Sequence, residues 1–289
     1  MLVQHQSPRE AGATTRPEGN AKVHEGSAAL GDARPHPARV YDCLLEGKDN
    51  YLADQEVAEE LAARWPEIQQ GVRENRRWMH RAVRYLAREA GIRQFLDIGT
   101  GIPTRPNLHE VAQEVEPTAR VAYVDNDPLV LNHAEALLTP LTEQGRTIYL
   151  QADLRQPGRI LASERLNALL DLREPVGLTL VAILHFLEES ERPEAILEEL
   201  VAALPSGSYV ALSHACGDAA PASAKDAAAF YREREVSAPV VPRSEARING
   251  FFAGLELLEP GVVPVSQWHP DGPDLPEAVW FYGGVARKP

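Results

Sequence analysis

The sequence predicts an α/β fold in which a doubly wound, mostly parallel sheet follows an N-terminal helical cap. From about residue 91 onward, short apolar runs of strand length alternate with helical patterns. Such alternation is typical of right-handed βαβ units in a parallel sheet whose two faces are covered by helices. Before that point the apolar residues recur at helical spacing, which favours a separate helical segment at the start.

Composition divides the 289 residues into three predicted parts. Residues 1–34 contain no aromatic residue and are rich in Gly, Ala, Pro, Glu and His, so we expect a disordered tail. Residues 35–90 are predicted to form the N-terminal cap, and residues 91–289 the sheet domain. One long helix of the cap is predicted to end at Gly91, and its apolar face consists of Ile68, Val72, Met79, Val83, Leu86 and Ala90.

Apolar runs mark the strands of the predicted sheet. In chain order they are "IRQFLDIG", "ARVAYVD", "TIYLQAD", "GLTLVAIL", "GSYVALS" and a final "AVWFYGGVARKP", for which an antiparallel direction is one option. Helical patterns between them are "LHEVAQEV", "PLVLNHAEALL" and "PEAILEELVAAL". The second helix has a clear start, since Asp127 is suited to cap it and Pro128 to take its first position.

Charge and composition narrow the classes of partner. The formal net charge of −13 disfavours nucleic acid, because phosphate backbones require clustered Lys and Arg. The longest apolar runs contain about a dozen residues, too few to span a bilayer, and the N-terminus lacks a signal-peptide pattern. Cys43 and Cys216 have no metal or redox spacing, and the histidines are scattered. We therefore expect a cytoplasmic protein with no metal site and no nucleic-acid or membrane partner.

The stretch "FLDIGTGIPT" is the first candidate for chemistry, because a strand there ends in a turn with Gly99 and Gly101. Glycines let the backbone approach a ligand closely, and ligands bind at the carboxyl edge of a parallel sheet. A dinucleotide fingerprint has a third glycine where this chain has Thr104. The carboxylate of Asp97 suits a ligand with an ammonium group better than a pyrophosphate. The alternative is a tight crossover that binds no ligand.

Carboxylates also follow the next two predicted strands. Asp125 could accept hydrogen bonds from both hydroxyls of a ribose. Asp153 could accept a hydrogen bond from an exocyclic adenine amine, with Leu154 packed on the ring, although a loop or capping role is the alternative. Because successive parallel strands end at the same edge, Asp97, Asp125 and Asp153 are predicted to lie along one edge of the sheet.

This series of three carboxylates resembles the class I S-adenosylmethionine-dependent methyltransferases. More narrowly, the chain from about Pro35 to Ala286 resembles an S-adenosyl methyltransferase family that is common in actinomycetes and was long catalogued as a domain of unknown function. The stretches that carry the resemblance are "PARVYDCLLEGKDNYLADQEVAEEL", "ENRRWMHRAVRYLAREAGIRQFLDIGTGIPT", "VAYVDNDPLVL", "LLDLREPVGLTLVAILHFL" and "GLELLEPGVVPVSQWHP". The chain departs from the broad class at Ile102 and Pro103, where a further glycine is usual.

The resemblance implies a seven-stranded, Rossmann-like methyltransferase sheet with S-adenosylmethionine as cofactor and S-adenosylhomocysteine as product. In that class the glycine turn holds the methionine part, the second carboxylate holds the ribose and the third holds the adenine. The cofactor-binding residues implied here are Asp97, Gly99, Thr100, Gly101, Asp125, Asn126, Asp153, Leu154 and Ile183.

The acceptor side offers weaker candidates. His185 follows the fourth predicted strand and could deprotonate a hydroxyl acceptor, or it could only shape the pocket. By resemblance, the segment "YDCLLEGKDNY" folds over the cofactor as a lid, unless the cap only covers an apolar flank of the sheet. The residues predicted for this lid and for substrate contact, besides His185, are Tyr41, Asn50, Tyr51, Asn75 and Arg76.

The predicted function is methyl transfer from S-adenosylmethionine to an unidentified small-molecule acceptor. Two alternatives stay open from the sequence. An NAD(P)-dependent oxidoreductase shares the fold class but has no use for Asp97. A non-catalytic protein that binds the cofactor for regulation would keep the same site without turnover.

Overall fold

The computed structural model of the protein describes residues 34–128, 130, 139–219, 221–272 and 280–289. Apart from Arg34, the predicted tail lies outside the described residues, as does most of the helix predicted to begin after Asp127. Among the described helices, none is both long and apolar enough to cross a membrane.

Three helices form the N-terminal cap: α1 (Pro37–Leu44), α2 (Leu52–Arg64) and α3 (Glu67–Arg88). The sequence explains their ends. Pro37 occupies the first turn of α1, and the His36 side chain accepts a hydrogen bond from the backbone N–H of Ala38. After α3, the chain turns through Gly91, whose φ of 67° is left-handed and favours glycine. The predicted apolar face of α3 is buried at Val72, Met79, Val83 and Leu86.

The central sheet has the predicted α/β arrangement. Its main strands are β1 (Gln94–Ile98), β2 (Arg120–Asp125), β3 (Arg146–Gln151), β4 (Gly177–Val181) and β5 (Tyr209–Ala215), followed by the short β6 (Glu256–Leu257) and β7 (Val263–Pro264) and by β8 (Phe281–Arg287). The order is β3-β2-β1-β4-β5-β8-β6, and β7 also pairs with β8. The strands β1 to β5 are parallel, and β8 is antiparallel to β5.

Among the described residues the sheet has eight strands, a count that is compatible with the seven that the resemblance implied. The difference arises at one edge. Leu257 of β6 is paired with Ala286, and Val263 of β7 with Gly283, so both short strands run antiparallel along the same strand, β8. They amount to one edge strand interrupted by a five-residue turn at 258–262.

Helices cover both faces of the sheet, as expected for a doubly wound fold. Adjacent strand residues alternate between two buried cores: Phe95 of β1 packs with Trp78 of α3 on one face, and Leu96 with Leu178 on the other. The remaining described helices are α4 (Leu108–Val115), α5 (Pro157–Leu161), α6 (Glu164–Leu169), α7 (Pro193–Ala202), α8 (Pro221–Glu233) and α9 (Glu245–Gly250).

Candidate active site

One cavity lies where the carboxyl ends of β1 to β4 face the cap. It encloses about 1170 Å³ of empty space, counting its open mouth. The sheet side contributes the three predicted carboxylates, in the order Asp153, Asp125 and Asp97 across β3, β2 and β1. The cap contributes Tyr41 from α1 and Arg76 from α3. The structure thus brings the sheet-edge candidates and part of the predicted lid to one place.

Asp97 is held firmly at the cavity wall. It is the fourth residue of β1, and its Oδ1 accepts a hydrogen bond of 2.6 Å from the Thr179 hydroxyl on the neighbouring strand β4. Burial raises the pKa of Asp97, while Thr179, the positive charge of Arg76 and the Thr100 hydroxyl oppose this rise. These three groups all favour the anionic form of Asp97.

The glycine turn (residues 99–101) leaves β1 with left-handed backbone at both glycines. Gly99 has a φ of 77°, and a Cβ built there would lie 2.5 Å from Cγ1 of Ile183. Gly101 has a φ of 66°, but a Cβ there would meet only Ala38, at 3.8 Å. The hydroxyl of Thr100, between them, donates to the Asp97 carbonyl at 3.2 Å. Only glycine therefore fits at position 99, where the turn and Ile183 touch.

Asp125 ends β2 and braces the glycine turn. Its Oδ2 accepts the Gly101 N–H at 2.7 Å, and its Oδ1 accepts the Asp127 N–H at 3.0 Å. Burial raises the pKa of Asp125 to about 6, although these two backbone donors favour the ionised form. Asn126 follows it as an exposed residue on the cavity lining. A carboxylate with oriented oxygens is therefore present at the predicted ribose position.

Asp153 lies two residues beyond the end of β3. Its Oδ1 accepts the backbone N–H of Arg155 at 2.9 Å, which makes a local turn, and the Arg155 guanidinium also pairs with Glu191. Leu154 between them is buried and lines the cavity. This end of the cavity combines a carboxylate with an apolar wall, which is compatible with the predicted adenine position.

The strand β4 ends earlier than its apolar run predicts. Ala182 has a φ of 54°, a left-handed conformation that a non-glycine residue adopts at some energetic cost. Its N–H donates to the carbonyl and the hydroxyl of Ser213, at 3.1 and 3.0 Å, and these bonds hold the turn. As a result Ile183 leaves the strand direction, lies against Gly99 and lines the cavity.

The predicted lid residues separate into two groups. Tyr41 and Arg76 line the cavity. Asn75 is buried behind them and donates to the Tyr41 hydroxyl at 3.0 Å, while that hydroxyl donates to the Val72 carbonyl. Asn50 and Tyr51 are not in the lining: Asn50 donates to Asp42 at 2.8 Å, and Tyr51 precedes α2 beneath the guanidinium of Arg39.

His185 lies behind the cavity and is not part of its lining. It belongs to a short 3₁₀ turn, Leu184–Phe186, and its Nδ1 accepts the Ala215 N–H at 3.3 Å. Its ring packs edge-on against His214, and burial lowers the pKa of His185 well below the usual value. The unprotonated Nδ1 is thus already used by the backbone of β5.

Several residues that line the cavity were not predicted from the sequence. The cap adds His36 and Met79, and the sheet side adds Phe186 and Leu187. Thr179 was also missed as the partner of Asp97, although a lone hydroxyl within the apolar strand "GLTLV" is a signal that could have found it. The residues after β4 gave no such signal, because their position depends on the left-handed turn at Ala182.

A salt-bridge network joins the cap to the sheet. Arg39 of α1 pairs with Asp54 of α2 at 2.9 Å and lies 3.5 Å from Asp127, and all three side chains are buried. The His36 ring is 3.3 Å from the same carboxylate of Asp127. Because the Asp127 N–H donates to Asp125, this network ends at the predicted ribose carboxylate.

The cavity has the features that an adenosyl ligand with an amino-acid tail requires. Left-handed glycines leave space beside β1, Asp125 presents carboxylate oxygens at β2, and Leu154 provides an apolar wall near Asp153. Among the described residues, no group of three His, Cys, Asp or Glu is arranged to hold a metal ion.

Comparisons with known proteins identify the family of the chain. A family model described as S-adenosyl methyltransferase matches residues 23–289. The crystal structure of a DUF574 family protein from Streptomyces avermitilis is 47% identical, with a TM-score of 0.85 over 90% of this chain and 100% of that chain. That of a candidate methyltransferase from Thermobifida fusca YX is 37% identical, with a TM-score of 0.83 over 92% and 99%. No curated protein matches the sequence.

Proposed function

The chain belongs to the S-adenosyl methyltransferase family, and we propose that it methylates a small molecule bound on the cap side of the cavity. Family membership makes it an S-adenosylmethionine-dependent methyltransferase. A single observation supports a small molecule as the acceptor: residues of the cap cover the space beside the glycine turn. A covered cavity favours a compact acceptor over a macromolecule.

The sheet side of the cavity would hold the cofactor. We propose that Asp125 accepts the ribose hydroxyls and that Asp153 and Leu154 contact the adenine. Asp97 and the glycine turn would hold the amino-acid part. When bound, the cofactor supplies a methyl group on a sulfonium, which is already activated for displacement.

The acceptor side is mostly apolar. Leu45 and Met79 from the cap and Phe186 and Leu187 from the turn after β4 line it, with Tyr41 as a polar neighbour. Burial raises the pKa of Tyr41, so its hydroxyl stays protonated at neutral pH and can only orient an acceptor. We propose that the protein acts mainly by positioning a partly apolar acceptor and by excluding water.

We assign His185 a structural role, in place of the base suggested by its sequence position. Its ring lies outside the cavity lining, and its Nδ1 accepts a backbone hydrogen bond. An acceptor with an uncharged amine, or one that loses its proton readily, would need no protein base.

The proposal is tested by supplying cofactor with a deuterium-labelled methyl group to a library of small amines, phenols and carboxylic acids. Mass spectrometry should reveal labelled products of one chemical class with the wild-type protein. Asp125→Ala should remove them, whereas a change at the exposed Arg73 should not. Label found only in protein or nucleic acid would contradict the small-molecule acceptor. Tight binding of S-adenosylhomocysteine with no labelled product in any fraction would support the regulatory alternative.

A further inference from the structure

Two opposite charges face the end of the cavity at the glycine turn. Asp97 lies in its wall on β1, and Arg76 reaches it from α3. Among the described residues, no carboxylate lies within ion-pair distance of the Arg76 guanidinium. The two charges therefore share this part of the cavity without neutralising each other by direct contact.

Arg76 is oriented but not saturated. Its Nη2 donates to the carbonyl of Thr104 and, at 3.1 Å, to that of Pro106. Its Nε is buried and has no hydrogen-bond partner among the described residues. Leaving a buried donor of a charged group unpaired is unfavourable, so a ligand acceptor at this position would stabilise the arrangement.

We propose that Arg76 binds the α-carboxylate of the cofactor's methionine part while Asp97 binds its α-ammonium. The pair would then recognise the zwitterion of an amino acid. This inference rests on the proposed function, since it takes the cofactor site to be the sheet side of the cavity. Arg76, which the sequence predicted as a lid residue, would then contact the cofactor.

The other basic residues of the lining are already used. Arg155 pairs with Asp153 and Glu191. His36 lies 3.3 Å from Asp127, and burial lowers its pKa, which favours the neutral ring. Arg76 is thus the lining cation whose charge is available to a ligand anion.

The position of Arg76 favours the cofactor over the acceptor as its partner. The carbonyls that hold its Nη2 belong to the loop that continues the glycine turn. That turn begins directly after Asp97 and Ile98, at the methionine end of the carboxylate series. A guanidinium in this place can make a charge-assisted contact with a carboxylate beside Asp97.

The test compares two ligands by calorimetry. S-Adenosylhomocysteine carries the amino-acid part, and methylthioadenosine lacks it but keeps the ribose and the adenine. Arg76→Met should weaken S-adenosylhomocysteine about 10- to 100-fold, the equivalent of losing a hydrogen bond to a charged group, and methylthioadenosine less than about threefold. Arg73→Met, on the exposed side of the same helix, is the matched control and should change neither.

Retained binding of methylthioadenosine also shows that the Arg76 variant is folded. Equal weakening of both ligands, or no weakening of either, would overturn the assignment of Arg76. The proposed function is judged separately, because it depends on wild-type binding of S-adenosylhomocysteine and on labelled small-molecule products.

Discussion

Cofactor affinity should depend on pH through Asp125. Burial raises the pKa of this carboxyl to about 6 in the protein without ligand, and the N–H groups of Gly101 and Asp127 orient its oxygens. Ribose hydroxyls donate hydrogen bonds, which a carboxylate accepts better than a carboxylic acid does. Binding should therefore favour the ionised form, and affinity should fall as pH drops below the pKa.

The magnitude follows from linkage. Each pH unit below the pKa removes about 1.4 kcal/mol of binding free energy, so the dissociation constant should rise about tenfold between about pH 7.5 and pH 5. Methylthioadenosine is the ligand of choice for calorimetry. Asp97 also has a pKa raised by burial, and it would respond to the amino-acid part of a longer ligand.

Asp125→Asn is the control for this measurement. The variant keeps the shape of the side chain but cannot titrate, and its amide leaves one backbone N–H without an acceptor. It should bind methylthioadenosine more weakly, by about 1–3 kcal/mol, with a flat pH profile. His36 lines the same cavity and is unchanged in the variant, so only the difference between the two profiles is assigned to Asp125. A flat wild-type profile, or equal slopes in both proteins, would show that ionisation of Asp125 does not control ligand affinity.

Three further predictions concern stability. Gly99→Ala should lower the free energy of unfolding by about 2–4 kcal/mol, and Gly101→Ala by only about 1 kcal/mol. Both backbones are left-handed, but only the new Cβ at position 99 clashes with a side chain, at 2.5 Å from Ile183, whereas the one at position 101 makes an ordinary contact with Ala38 at 3.8 Å. Urea unfolding measures both, and equal losses would contradict the difference. Arg39→Met leaves the buried carboxylate of Asp54 without its cation and should lower the free energy of unfolding by about 3–5 kcal/mol. Arg73→Met breaks an exposed pair and should lower it by less than about 1 kcal/mol. A small loss for Arg39→Met would exclude a stabilising network. Burial lowers the pKa of His214 from 6.5 to about 3, so the neutral ring stabilises the fold fully above pH 6.5, and the free energy of unfolding falls by about 1.4 kcal/mol per pH unit from there towards pH 3. His214→Gln should make this fall less steep when unfolding is measured at several pH values.

The fold could be predicted from the sequence because its signals are local. Strand-length apolar runs and helical periodicity depend on residues close together in the chain, and both cores of the sheet follow from alternation within each strand. The division of the edge strand into β6 and β7 could not be predicted, because these two segments have two residues each. Such short strands exist only through pairing with β8, which lies farther along the chain and leaves no periodic pattern at the edge.

The site was predictable to the extent that topology determines it. Asp97, Asp125 and Asp153 line one cavity because parallel strands end at one edge of the sheet. Side chains placed by irregular backbone were not predictable. The apolar run "GLTLVAIL" suggests a strand that continues towards His185, but the left-handed turn at Ala182 ends it and directs that histidine away from the cavity.

The cap is connected to the carboxylate that is proposed to bind the ribose through a chain of salt bridges and a hydrogen bond. Arg39 joins Asp54 to Asp127, and the Asp127 N–H in turn donates to Asp125. A change that loosens the cap should therefore also disturb the orientation of Asp125, and by linkage a ligand on Asp125 should stabilise the cap by the same free energy. We therefore expect the cap and the proposed cofactor site to respond as one cooperative unit, in which residues that contact no ligand, such as Arg39, help to set the affinity.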